Sequence, residues 1–216
     1  MSLQSNANRP ARYAAIIVAL VAATSALAES ATPKGPAEGT AGVERYVREM
    51  WASSDAKWKD RLKQDETQVL CSRFRNNPPE PLAQSIQTRE AATIVFPKDN
   101  QVLGRWQEGE KLAQNGRGGQ FSDAPDTVNG GNCYACHQMA KSELSFGTLG
   151  PSLSEYGKIR NFSAEAARDT FAKIYNSQAT LACSSMPRFG AHGFLTEQQI
   201  KDVVAYLFDP DSPINK

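Results

Sequence analysis

The pentad Cys133–His137, with the sequence Cys-Tyr-Ala-Cys-His, constrains this chain more than any other feature. Two thiols three positions apart reach the two vinyl groups of one porphyrin and form thioethers, and the adjacent imidazole then lies under the iron as an axial ligand. The alternatives are a chance pentad in a structural loop and a redox-active C-x-x-C pair, which needs a βαβ pattern that we do not find. The motif occurs once and predicts one covalent haem c, held by Cys133, Cys136 and His137.

A metal-binding histidine also needs a partner for its second ring nitrogen, which fixes the orientation of the ring. The turn at Leu149-Gly150-Pro151 follows the pentad within the next loop. Its backbone carbonyl is well placed along the chain to accept the imidazole N–H. We therefore expect the Pro151 turn to orient His137.

The N-terminal residues have the pattern of a secretory leader. Arg9 and Arg12 precede an uncharged, largely apolar run at 14–27, and an A-x-A cleavage site ends at Ala28. The run is too short for a convincing membrane anchor, although an uncleaved anchor is the alternative interpretation. We expect a signal peptide at 1–28, cleaved after Ala28, and hence an exported, periplasmic protein.

The charge balance argues against two classes of partner. The chain has 24 Lys and Arg against 23 Asp and Glu, and cleavage would remove Arg9 and Arg12. The mature protein would therefore be close to neutral, with no global basic field to favour nucleic acid or an anionic membrane surface. We expect no nucleic-acid partner and no membrane association after cleavage.

The region between the leader and the haem motif divides into two parts. Residues 29–41 are rich in small residues and predict a flexible linker. Apolar residues then recur at helical spacings over 43–74, with a break allowed at Ser53-Ser54, and a further helix is predicted over 82–92. Residues 42–100 are therefore predicted to form an N-terminal helical extension.

Residues 101–216 predict a second, all-α domain. Its first helix spans 103–115 and has Gly109 at its middle, where glycine costs about 1 kcal/mol relative to alanine. This cost favours a close crossing by another element over a tolerated defect, and Tyr206 of the last helix is a candidate neighbour.

Two further helices of this domain have clear start signals. Ser163 is a typical N-cap for a helix that runs to 176. Thr196 and Gln199 form a capping box, which predicts the start of the last helix.

A sixth iron ligand is expected if the haem transfers electrons, and the thioether of methionine raises the reduction potential. Of the methionines that follow the leader, Met50 fits a helix core, and Met139 lies only two residues past His137, too close to reach the opposite haem face. Met186 lies in a loop between two helices and is the predicted ligand. His192 is the rival.

Cys71 and Cys183 are the two cysteines that the haem motif does not use. An exported chain with two spare thiols most simply pairs them, and the disulfide would join the N-terminal helices to the Met186 loop. The alternative is one reactive thiol that carries substrate or binds metal.

The order helix, C-x-x-C-H, G-P-S-L, helix, M-P, helix resembles the class I cytochrome c fold. More closely, the chain resembles the SoxX family, the small cytochrome subunits of the SoxAX complexes of thiosulfate-oxidising bacteria. The similarity is carried by Gly-Gly-Asn-Cys-Tyr-Ala-Cys-His-Gln (130–138), Gly-Thr-Leu-Gly-Pro-Ser-Leu (147–153), Lys-Ile-Tyr-Asn-Ser-Gln-Ala (173–179), Cys-Ser-Ser-Met-Pro-Arg-Phe-Gly (183–190), Leu-Thr-Glu-Gln-Gln-Ile-Lys-Asp-Val-Val-Ala (195–205), Asp-Glu-Thr-Gln (65–68), Cys71 and Arg-Asn-Asn-Pro-Pro (75–79).

The resemblance implies a heterodimer with a SoxA-type subunit in an L-cysteine S-thiosulfotransferase. Such complexes join thiosulfate oxidatively to a cysteine of the carrier protein SoxYZ, with the sulfur chemistry in SoxA. The SoxX haem passes the electrons to a small soluble cytochrome c. The resemblance further implies that Cys133 and Cys136 bind the porphyrin, that His137 and Met186 are the iron ligands, and that this chain contributes no catalytic residue.

A free periplasmic mono-haem electron carrier without an obligate partner is the alternative function. The haem motif does not distinguish the two. Residues 42–100 do, because a minimal cytochrome c does not need them. They favour a partner surface or an added layer.

Overall fold

The computed structural model describes residues 39–216, so the predicted signal peptide and most of the predicted linker lie outside the described residues. All regular elements within 39–216 are helical, which confirms the predicted all-α class. The α-helices are α1 Gly39–Met50, α2 Ala56–Asp60, α3 Glu66–Arg73, α4 Glu80–Ala91, α5 Trp106–Gln114, α6 Tyr156–Ile159, α7 Ala164–Tyr175 and α8 Glu197–Phe208.

The described residues divide into two compact units, 39–61 and 62–216. The described part of the first unit contains α1 and α2, which are separated by the expected break at Ser53-Ser54. Met50, expected in a helix core, is exposed. None of the helices in 39–216 has the length and apolar character that a membrane crossing needs.

The core of the second unit is built on the crossing of α5 and α8. An added Cβ at Gly109 would lie 2.0 Å from the carbonyl oxygen of Asp202 and 2.8 Å from the Cβ of Tyr206. The prediction that another element crosses closely at Gly109, with Tyr206 beside it, is therefore confirmed. The Tyr206 hydroxyl also lies 2.6 Å from that of Tyr134, so the crossing is bonded directly to the C-x-x-C-H segment.

Replacement of Gly109 by alanine is expected to lower the free energy of unfolding by about 1 to 3 kcal/mol, even though alanine is the better helix former. The new methyl group meets backbone atoms of α8 that cannot move independently. Denaturant unfolding followed by circular dichroism measures the loss. Gly42→Ala is the control, because a Cβ there meets no atom within 4 Å. Equal stability of the two variants would contradict the tight crossing.

Helix α5 begins three residues later than the sequence pattern predicts. The Gly104 N–H donates to the Lys201 carbonyl (3.0 Å), and the Arg105 N–H donates to Asp202 Oδ1 (2.9 Å). These amides are bonded to α8, so the regular helix starts only at Trp106. The predicted caps are confirmed: Ser163 accepts from the Ala166 N–H, and the capping box at the start of α8 is present.

Helices α3 and α4 belong to the same compact unit as the residues that follow them. A capping box between Asp65 and Gln68 starts α3. Cys71 of α3 and Ile86 of α4 are buried in one small apolar cluster with Cys183. The latter part of the predicted extension therefore packs against the segment that precedes Met186.

Candidate haem-attachment site

The C-x-x-C-H segment folds as a tight turn. Cys133–Ala135 forms a single turn of 3-10 helix, preceded by Asn132 in the left-handed region at φ 47°. The carbonyl of Cys133 accepts hydrogen bonds from the N–H groups of Cys136 (3.1 Å) and His137 (2.9 Å). Because these bonds close the turn, both thiols and the imidazole are held on one short piece of backbone. Neither Cys133 nor Cys136 takes part in a disulfide bond.

His137 is oriented as the sequence predicts. Its Nδ1 donates a hydrogen bond to the backbone carbonyl of Pro151 at 2.7 Å, since a carbonyl oxygen can only accept. This bond defines the tautomer and leaves Nε2 as the nitrogen that is available to a metal. A Cβ at Gly150 would lie 2.2 Å from Cε1 of the ring, so only glycine allows the loop to lie against the imidazole.

Three backbone hydrogen bonds hold the following loop against the pentad. Gly147 donates to the carbonyl of Tyr134, Gly150 to that of Cys136, and Leu153 to that of Gln138, at 2.7–2.8 Å. The same loop carries three apolar side chains that are exposed to solvent: Leu144 98%, Phe146 37% and Leu149 89%. Apolar side chains beside two free thiols and an oriented imidazole are the surroundings that a covalently attached, largely apolar macrocycle needs. The residues present therefore fit a c-type haem.

The Cys133 thiol does not have the character of a redox-active cysteine. Burial raises its pKa to about 12, so the free thiol is uncharged at neutral pH. Redox-active C-x-x-C pairs depend on a lowered pKa that populates the thiolate. The thiol environment therefore disfavours the C-x-x-C redox interpretation.

Met186 lies in the loop between the 3-10 turn Ser177–Ala179 and α8, and it is partly buried against the core. Its carbonyl accepts a hydrogen bond from Ser177 Oγ (2.5 Å), and its N–H donates to Ser184 Oγ (3.2 Å). Met139, by contrast, is completely buried. Of these two methionines, only Met186 therefore has a side chain that is partly open to a ligand.

Cys71 and Cys183 form a disulfide bond in the structure, with their Cα atoms 5.3 Å apart. The bond joins α3 to the segment three residues before Met186. Cys183 adopts a left-handed backbone conformation with φ 59°, which is uncommon for a residue other than glycine. The covalent link therefore secures an irregular turn directly before the Met186 loop.

The sequence analysis did not predict a buried ion-pair cluster around Arg188, which lies two residues after Met186. Arg188 is only 8% exposed and pairs with Glu90 at 3.2 Å and with Asp65 at a shorter distance. Glu90 is buried as well and also accepts hydrogen bonds from Thr67 and from Asn176 Nδ2 (2.8 Å). No local pattern marks these residues, because their partners lie 98 and 123 positions apart along the chain.

The electrostatic balance at this cluster favours charged carboxylates. Burial alone would raise the pKa of Glu90, but the hydrogen bonds from Thr67 and Asn176 and the charge of Arg188 outweigh it, and the pKa lies below its ordinary value. The pKa of Asp65 is also below its ordinary value: burial raises it, but the hydrogen bond from the Gln68 N–H and the charge of Arg188 together outweigh the effect of burial. Arg188 therefore faces two ionised partners at neutral pH.

His192, the rival iron ligand, lies at the edge of this cluster. Its Nε2 is 3.9 Å from Asp65 Oδ2, and its side chain is about half exposed. Burial and the nearby Arg188 charge lower its pKa, although Asp65 and Glu90 act in the opposite direction. The side chain of His192 is thus directed to Asp65.

Two comparisons with known proteins bear on these residues. The cytochrome c family matches residues 106–209, which include the C-x-x-C-H turn, the Pro151 loop and Met186. An uncharacterized lipoprotein of Aquifex aeolicus is 40% identical over 158 residues, which cover 71% of this chain and 73% of that protein.

Proposed function

Because residues 106–209 of this chain form a cytochrome c family domain, which implies electron transfer with covalently bound haem c, we propose that the chain is the electron-transfer subunit of a SoxAX-type thiosulfotransferase. In this proposal it pairs with a SoxA-type subunit that performs the sulfur chemistry on a SoxYZ-type carrier. A soluble cytochrome c accepts the electrons. The relative's description as a lipoprotein supports export, in agreement with the leader pattern at 1–28.

The residues of the site have separate tasks in this proposal. Cys133 and Cys136 would hold the porphyrin through thioethers, and His137 would bind the iron through Nε2 while its other ring nitrogen donates to the Pro151 carbonyl. Met186 would be the second protein ligand of the iron. The bound haem would supply one-electron redox chemistry. An iron held by two protein side chains would leave no position for a substrate, so this chain would act as an electron relay.

The observation that carries the proposal is the attachment of α3, its N-cap residue Asp65 and α4 to the Met186 loop. The Cys71–Cys183 disulfide and the Arg188 ion pairs both join segments whose sequences resemble SoxX. A free electron carrier has no need of this additional layer. Its construction around the loop of the proposed distal ligand favours a subunit adapted to a partner.

Affinity purification of the tagged, exported chain from its native host tests this proposal. We expect a second haem-containing subunit to be recovered with it. The isolated chain should be reducible and reoxidisable, yet inert toward thiosulfate and a thiol acceptor until the partner is added. Recovery as a single subunit would support the free-carrier alternative, and turnover by the single chain would place the catalytic site here.

Replacement of Met186 by leucine is expected to abolish the weak far-red charge-transfer band of a ferric Met–iron bond. Leucine conserves the volume of the side chain but has no sulfur to bind iron. The measurement is the absorption spectrum of the purified ferric protein. Met139→Leu is the matched control, since Met139 is buried in the core and should keep the band. A band that survives in Met186→Leu would make His192 the candidate ligand.

A further inference from the structure

Met186 is bracketed by two attachments to the segment that precedes the cytochrome c match. Three residues before it, Cys183 is covalently bound to α3. Two residues after it, the guanidinium of Arg188 is buried against the carboxylates of Glu90 and Asp65. Pro187, which lies between Met186 and Arg188, limits the backbone freedom of this connection.

Glu90 is well suited to hold Arg188 in place because its own position is determined by several contacts. It lies in the last turn of α4, one helical turn after Ile86, which is completely buried. Its carboxylate accepts hydrogen bonds from Thr67 of α3 and from Asn176 beyond the end of α7. The position of the Glu90 carboxylate, and therefore that of the Arg188 guanidinium, depends on α3, on α4 and on the end of α7.

A second series of hydrogen bonds, through Asn176 and Ser177, connects the same cluster to Met186. Asn176 is completely buried and donates to Glu90 and to Thr93 Oγ1 (2.9 Å). The next residue, Ser177, donates its hydroxyl proton to the Met186 carbonyl at 2.5 Å. Two neighbouring residues therefore connect the Glu90 carboxylate to the backbone of Met186, independently of Arg188.

We propose that Glu90 is a positioning residue for Met186: through Arg188 and Asn176 it keeps the Met186 loop in place and thereby strengthens the hold of the thioether on iron. This inference rests on the proposed role of Met186 as an axial ligand. A neutral thioether binds iron weakly compared with an imidazole, so the rigidity of its loop decides how readily another ligand displaces it. A buried charged pair that loses one member also leaves the other without compensation.

The test is imidazole binding to the ferric holoprotein, followed by the Soret spectrum at a constant pH of about 7, where the carboxylates are ionised. Glu90→Gln keeps the size of the side chain but removes its charge, and we expect about a tenfold or greater increase in apparent imidazole affinity, together with a lower reduction potential. Glu80→Gln is the matched control, because Glu80 is an exposed residue at the start of the same helix and should leave both values unchanged. Glu90→Asp, which keeps the charge, should restore most of the wild-type behaviour.

If Glu90→Gln does not yield folded protein, Asp65→Asn decides the question. Asparagine is an equally good N-cap for α3, so this change weakens Arg188 pairing without removing the helix start. We expect about a threefold increase in imidazole affinity. Imidazole affinities equal to those of Glu80→Gln, with the far-red band lost in Met186→Leu, would overturn this inference alone. Retention of the band in Met186→Leu would instead overturn the proposed ligand, and this inference with it.

Discussion

The mass of the mature chain is expected to exceed that of its polypeptide by one haem, and the excess should survive acid–acetone extraction. The reason is the single C-x-x-C-H turn, in which two free thiols and an oriented imidazole lie together. The double variant Cys133→Ser/Cys136→Ser should lose the adduct completely, because a serine hydroxyl does not form the thioether. Intact-protein mass spectrometry before and after extraction measures both results.

The chain offers a matched control for this experiment. Cys71→Ser/Cys183→Ser also replaces two cysteines by serine, but these two form a disulfide outside the haem motif. It should therefore retain the full haem mass. A bare polypeptide mass for the wild-type protein, after expression with haem-attachment machinery, would overturn the interpretation of the pentad.

Loss of the Cys71–Cys183 disulfide is expected to destabilise the protein by about 5 kcal/mol. The two cysteines are 112 residues apart, and the chain-entropy argument assigns about this value to a loop of that length. For a protein of this size the loss corresponds to a decrease in Tm of about 10 to 20 °C. Thermal unfolding of the holoprotein of Cys71→Ser/Cys183→Ser, followed by circular dichroism, measures it.

A reductant separates the loss of the disulfide from the effect of the serine side chains themselves. Dithiothreitol should lower the Tm of the wild-type protein toward that of the double variant but leave the variant unchanged, since thioethers are not reduced. Non-reducing peptide mapping should recover the peptides of Cys71 and Cys183 linked. Free thiols at both positions, or a Tm within a few degrees of the wild-type value, would count against the disulfide.

Features that depend on neighbouring residues could be predicted well. The thiol spacing of Cys133 and Cys136 is a property of five consecutive residues, and the caps at Ser163 and Thr196 depend on residues three positions away. The Pro151 contact with His137 spans only 14 positions, and the structure shows it as expected. Such features follow from covalent geometry and local hydrogen bonding.

Two long-range contacts could also be predicted from the sequence, because the chemistry of a single residue type indicated each of them. Gly109 is unfavourable in the middle of a helix unless another element requires its lack of a side chain, and α8 does. The pairing of Cys71 with Cys183 followed from counting cysteines rather than from geometry. In both cases the chemistry of one residue type limited the alternatives.

By itself, then, the sequence determined that this is an all-α chain with one c-type attachment motif, whose histidine is oriented by the Pro151 carbonyl. Only the tertiary structure decided where α5 begins, since Lys201 and Asp202 of α8 accept hydrogen bonds from the two amides directly before it. It alone also revealed that Glu90 and Arg188 are buried against one another. The physical reason is that a charged residue on a helix has the same local pattern whether it faces water or a partner, and burial depends on segments about a hundred residues away.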